Sequence, residues 1–165
     1  MIYLFSACQL SGLLNKQPSA RAKISGSVYY PEISGWVIFY QVKGGVILIA
    51  EINGLPHGGD LCPASVFGFH IHDGSHCSGT ADDPFADTGA HYNPHHCPHP
   101  EHAGDLPPLF GNQGYAFMAL FTSRFSVDEI IGRTVIIHSS PDDFTTQPSG
   151  NSGEKIACGH ILSTY

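Results

Sequence analysis

Positive charge is scarce in this sequence: seven lysines and arginines stand among 165 residues, against fourteen aspartates and glutamates. A net charge of -7 argues against a nucleic-acid partner, because such binding rests on Lys and Arg neutralising phosphates. Charge of either sign is low, 13% where a quarter is usual. No apolar run approaches the roughly 20 residues of a membrane span. Internal repeats and low-complexity tracts are absent, and almost nothing reads as helix, which sets aside helical bundles and α/β folds. The opening residues lack a basic n-region, and their apolar stretch is too short for a signal h-region. Ser6-Ala7-Cys8 bears a faint likeness to a lipoprotein cleavage site, and a trimmed start would look the same. The compartment, cytoplasmic or exported, stays open.

What the chain does have is turns and short apolar runs. Nineteen glycines and twelve prolines punctuate a composition that is 42% apolar, and the length suits one domain with a proper core. Residues 1–20, with Leu4, Leu10, Leu13 and Leu14 before Pro18, read as an N-terminal arm or short helix, and residues 21–165 as the domain. Runs at 22–30, 35–42, 46–53, 66–72, 114–122, 130–138 and 155–162 are rich in β-branched and aromatic residues and bounded by Gly, Pro, Asn or Ser. About eight strands of this kind make an all-β antiparallel sandwich or barrel.

Residues 67–105 concentrate the chemistry, with eight of the eleven histidines and two of the five cysteines. His70 and His72 lie in the apolar run at 66–72. Alternate residues of a strand share a face, so both imidazoles project together while Ile71 points away. Paired neutral imidazoles suit copper or zinc. About forty residues without periodicity follow, broken by Pro84, Pro94, Pro98, Pro100, Pro107 and Pro108, and a loop of that length is either functional or disordered. Its His91, His99, His102 and Asp105 suggest that a metal orders it. His138 ends another apolar run, as a hydrogen-bonded core residue or as a ligand. Asp142 follows a proline, where turn chemistry is an equally plain role. Five cysteines allow two internal disulfides at most and leave one over.

Five blocks then stand out in order: FGFHIHDG with Cys77 (67–77), GAHYNP (89–94), HPEHAGDLP (99–107), GRTVIIHSSPDDF (132–144) and GNSGEKIACG (150–159). In order and nearly in spacing they resemble the copper/zinc superoxide dismutases, of a bacterial type with a short zinc loop, over residues 22–162. The resemblance implies an eight-stranded antiparallel Greek-key sandwich or barrel with two long metal-site loops. It implies an enzyme that disproportionates superoxide to O₂ and H₂O₂ with copper and zinc as cofactors. His70, His72, His91 and His138 then correspond to copper ligands. His91, His99, His102 and Asp105 correspond to zinc ligands, with His91 bridging the metals and supplying a proton. Asp142 corresponds to a carboxylate that joins His70 to His99. His95 and His96 rival His99, because the loop is short and His99 stands only three residues from His102, although the distance from His91 matches the family at His99. His57 and His76 fall on the surface, and His160 on an outward strand face.

By the same resemblance Cys77 and Cys158 pair. Cys62 and Cys97, without counterparts in the well-known members, are a second staple or two free thiols. Lys155 stands where the family places an arginine beside the copper channel, keeping the charge without the planar fork. A copper carrier or store on the same fold is the rival reading, and a zinc-stabilised binding module a third. Loss of a copper histidine would favour the rival, and none is lost. The oligomeric state stays open, a homodimer included.

Overall fold

A computed structural model describes residue 12 and residues 17–58 and 65–165. The expected N-terminal arm lies for the most part outside the described residues, as do Cys8 and Cys62.

The strands form where β-branched and aromatic residues alternate. They are β1 (Ala20–Gly26), β2 (Ser34–Val42), β3 (Gly45–Asn53), β4 (Val66–Phe67), β5 (Phe69–His72), β6 (Leu109–Phe110), β7 (Ala116–Thr122), β8 (Thr134–His138) and β9 (Lys155–Ser163). Within residues 17–58 and 65–165, helix is confined to a 3₁₀ turn at Ala86–Thr88 and one turn, α1 (Val127–Ile130), closed by a capping box between Ser126 and Glu129. Seven strands run in the order β5-β8-β9-β1-β2-β3-β7, all neighbours antiparallel, while β4 pairs with β6. The chain skips from β3 to β7 and returns β9 between β8 and β1, which is Greek-key connectivity.

The all-antiparallel expectation holds, with nine short strands among the described residues. The run at 66–72 is two strands, because the backbone at Gly68 leaves the ladder to donate its N–H to Ser140 and accept from the His138 N–H. The run at 130–138 starts as the end of α1 and turns at Gly132, so only Thr134–His138 is strand.

Alternation sets the inside. Ala20, Ala22 and Ile24 of β1, Val37 and Phe39 of β2, and Val46, Leu48, Ala50 and Ile52 of β3 all point into one core with Phe69, Ile71, Val135, Ile137, Ile156 and Ile161. Burying each large side chain of this set contributes about 1.5–3 kcal/mol, so the barrel is the rigid part. The two long loops, 73–108 and 139–154, bury few apolar side chains (Phe85, Tyr92, Ala103, Leu106) and need other fastenings.

Candidate metal centre

Those fastenings begin on the free edge of β5. Asp73 N–H donates to Ala90 O (2.9 Å), Tyr92 N–H to Ile71 O (2.8 Å), and Ile71 N–H to Gly104 O (2.9 Å). The long loop thus lies along β5 as an irregular extra strand, setting His91 opposite His72 and Asp105 opposite His70. Gly104 permits the approach, since a Cβ there would come within 2.2 Å of Ile71 O. Arg124, just beyond β7, fixes the far end of the loop. Its Nη1 donates toward the carbonyls of Pro100 (3.1 Å), His102 (3.1 Å) and Asp105 (3.3 Å). Gln147 reaches across from the second loop, accepting from His99 N–H (2.9 Å) and donating to His99 O (2.7 Å).

The histidines come together from four places in the chain. His70 and His72 share a face of β5, and His138 ends β8 at a register shift after Ile137, a bulge that re-aims its side chain. His91 arrives on the loop. His70, His72, His91 and His138 each bring a ligand-type atom to one focus, and His91, His99, His102 and Asp105 bring theirs to another, all within 4.8 Å of one another in each set and all buried. His91 belongs to both.

Which nitrogen points inward is decided by what the other one does. His72 Nδ1 donates to Gly89 O (2.9 Å), and His138 Nδ1 faces Gly153 O (3.3 Å), so both present Nε2, and these lie 3.3 Å apart. His70 Nε2 lies 2.8 Å from Asp142 Oδ2 and His99 Nε2 2.9 Å from Asp142 Oδ1, so both present Nδ1. One carboxylate therefore orients a ring in each cluster. Asp142 is itself held by the Phe144 N–H at 2.7 Å. Gly150 must stay small here, because a Cβ would fall 1.9 Å from Asp142 Oδ1 and 2.7 Å from His99 Nε2.

In the second cluster His91 Nδ1 lies 2.7 Å from Asp105 Oδ1, while Asp105 Oδ2 stands 3.1 Å from His99 Nδ1 and 3.3 Å from His102 Nδ1. Among the described residues, four buried ring nitrogens have no hydrogen-bond partner: His70 Nδ1, His91 Nε2, His99 Nδ1 and His102 Nδ1. Leaving one such atom unmade costs about 1–3 kcal/mol. Four of them gathered at two foci are what ligand atoms look like, and the donor sets, four nitrogens and three nitrogens with a carboxylate, fit copper and zinc.

Burial favours the neutral form of His70, His72 and His138. It holds His72 well below the usual imidazole range and brings His138 down to about 3, with the neighbouring His70 adding to it. His70 is lowered by burial despite Asp142. Burial alone would raise Asp105 and Asp142, but hydrogen bonds from the histidines outweigh it and hold both below the usual carboxylate range. The metal-free protein should accordingly lose stability in acid. Unfolded histidines take up protons near pH 6.5, whereas folded His138 resists until about pH 3, so stability present above 6.5 is lost as the pH falls through that window. Each pH unit removes about 1.4 kcal/mol per fully depressed group, and Asp105 and Asp142 add to the loss lower down. The urea midpoint of metal-free protein should therefore fall steeply between pH 7 and 4; a flat profile would show that the rings are not buried neutral.

His57, His76, His95, His96 and His160 are all exposed. His99 rather than His95 or His96 therefore joins the second cluster. Cys77 and Cys158 form the disulfide that the resemblance implied. Cys97 has no disulfide partner among the described residues, and Cys62 lies outside them. Lys155, at the start of β9, borders a cavity of about 500 Å³ that His72, His91, His102 and His138 also line. Sequence reasoning passed over Arg124, Gln147 and the carbonyls of Gly89 and Gly153. Only Arg124, as one of seven cations, carried any signal.

Residues 33–161 match the family model described as copper/zinc superoxide dismutase. The chain is 30% identical over 172 aligned positions to a superoxide dismutase [Cu-Zn] of Deinococcus radiodurans, with 93% of this chain and 87% of that one covered. It is 31% identical to superoxide dismutase [Cu-Zn] 2 of Aquifex aeolicus, with 79% and 80% covered. Among solved structures, a Cu/Zn superoxide dismutase from Brucella abortus superposes with a TM-score of 0.70 at 26% identity, covering 86% of this chain and 98% of the other.

Proposed function

This chain belongs to the copper/zinc superoxide dismutase family, and on that premise we propose how its own residues perform the dismutation of superoxide to O₂ and H₂O₂. His70, His72, His91 and His138 would hold copper, and His91, His99, His102 and Asp105 would hold zinc. The domain that does this is residues 21–165. The observation that supports the assignment is the four unpartnered buried nitrogens, each on a ring placed at one of the two foci.

Copper, when bound, supplies one-electron redox chemistry, oxidising one superoxide and reducing the next. The protein does the rest. Gly89 O, Gly153 O and Asp142 fix the tautomers and ring planes of His72, His138 and His70, so the donor atoms need no reorganisation when metal enters. His91 turns Nε2 to the first set and Nδ1 to the second, which makes it the group positioned to carry a proton at Nε2 for the departing peroxide. Burial of every ring keeps water from competing for the nitrogens, and the cavity bordered by Lys155 leaves one approach lined by a cation for an anionic substrate.

A copper store without turnover is the less favoured reading, since a complete set of four nitrogens with an open approach is what turnover requires. Protein loaded with both metals should contain about one copper and one zinc per chain and dismutate superoxide. His102→Ala should lose zinc and loosen residues 91–105 while copper still binds. Full dismutation by a copper-free preparation would overturn the reading.

A further inference from the structure

The cation at the mouth of the site is not a free one. Lys155 Nζ donates to Asp83 Oδ2 at 3.0 Å and to Phe85 O at 3.1 Å. Among the described residues lining the cavity over the histidines, Lys155 is the sole Lys or Arg. Its side chain is 17% exposed and that of Asp83 44%, so the ammonium is sheltered while its partner faces water. Asp83 is built into place. Its Oδ1 accepts from Phe85 N–H (3.1 Å), its N–H donates to Thr80 Oγ1 (3.1 Å), and its carbonyl accepts from Thr80 and Ala86 N–H groups. The loop bearing it is tied to β9 by the Cys77–Cys158 disulfide, three residues from Lys155. On its other side Lys155 borders a second cavity, of about 550 Å³, lined by Asp82, Asp83 and Glu154.

We propose that Asp83 is a specificity-determining residue that acts through Lys155, holding the ammonium at the mouth and restraining its pull on anions. The inference rests on the reading of Lys155 as the anion guide. A carboxylate 3.0 Å from the ammonium presents an approaching anion with a pair rather than a charge, and the acidic wall of the neighbouring cavity adds repulsion. Removing the Asp83 charge while keeping its shape leaves Lys155 unopposed. The effect is moderate, because solvent screens a partly exposed ion pair.

The test is azide binding to copper-loaded protein, followed by visible absorption at low and high ionic strength. Asp83→Asn, which can still accept from Phe85 N–H, should bind azide about two- to fivefold more tightly at low salt. The gain should vanish near 1 M salt, where the Debye length is about 3 Å. Asp83→Glu, which restores the charge, should bind close to wild type, and this variant separates charge from loop shape. Lys155→Met should weaken binding, and the double variant should match Lys155→Met alone. If Lys155→Met weakens binding but Asp83→Asn does not change it, or weakens it too, the restraint by Asp83 is wrong and the guiding role of Lys155 stands. If Lys155→Met has no effect on azide or on its salt dependence, the guiding role itself fails.

Discussion

Replacing His138 with alanine is expected to leave a folded, zinc-loaded protein whose dismutation is reduced by more than about a hundredfold. Loss of an outer contact of a metal ligand costs about 10–100-fold in affinity, and His138 is itself a proposed ligand. It supplies one of the two Nε2 atoms that lie 3.3 Å apart. Thr134 and Ile136 share its strand face, yet neither offers a nitrogen. The fold should survive because His138 ends β8 and belongs to none of the apolar clusters, and the loss of a buried side chain at a strand end falls in the usual range of about 0.5–3 kcal/mol. Zinc should survive because His91, His99, His102 and Asp105 keep their loop fastenings on β5, Arg124 and Gln147. Metal analysis beside a superoxide assay reads both halves. Retained activity, or simultaneous loss of zinc, would contradict the division into two sets that share only His91.

Much of this site was legible in the residues, and the reason is periodicity. The two-residue spacing of His70 and His72 on an apolar run could only place both rings on one face. The loop histidines have no period to read: their crowding in an aperiodic stretch suggests a metal, and only likeness to a family divides them into two ligand sets. The distance from His91 already favours His99 over His95 and His96, and in the structure His99 turns inward between Asp142 and Gln147 while the other two face solvent. The strand boundaries were blurred where hydrophobic content outran geometry. At Gly68 the backbone hydrogen bonds leave β5 for Ser140 and His138, a long-range choice that composition does not encode. Ring tautomers, the Arg124 clamp and the pairing of Lys155 with Asp83 join residues 15 to 72 positions apart. Such contacts emerge only when loops are packed on a sheet.

Removing the Cys77–Cys158 bridge is expected to have the largest effect on stability. The two cysteines are 81 residues apart, and in the chain-entropy treatment closing a loop of that size stabilises by about 4–5 kcal/mol, less whatever strain the native state carries. Against a total of about 5–15 kcal/mol for a domain, that is a large share. The bridge also has a local role that the entropy does not count. Cys158 is buried with Phe85 and Ile136, and Phe85 supplies the carbonyl and N–H that hold Lys155 and Asp83. Residues 78–89 lead directly into His91 and carry Gly89 O, which orients His72. Without the bridge, this stretch keeps the small Phe85 cluster, its own turn hydrogen bonds, the Lys155 pair, and the bonds that Ala81 O, Thr88 O and Gly89 O accept from Tyr29, Gly74 and His72. A Cys77→Ala/Cys158→Ala variant should therefore show a urea midpoint lowered by the equivalent of about 4 kcal/mol. In the metal-free state hydrogen exchange should rise first across residues 78–91, before the barrel opens. Measurement without metal matters, because bound copper and zinc would add stability by mass action and mask the loss. Reduction of the wild type should reproduce the variant. If the midpoint is unchanged, or if exchange rises uniformly over β1–β3 as well, the bridge is not the fastening that holds this loop against β9.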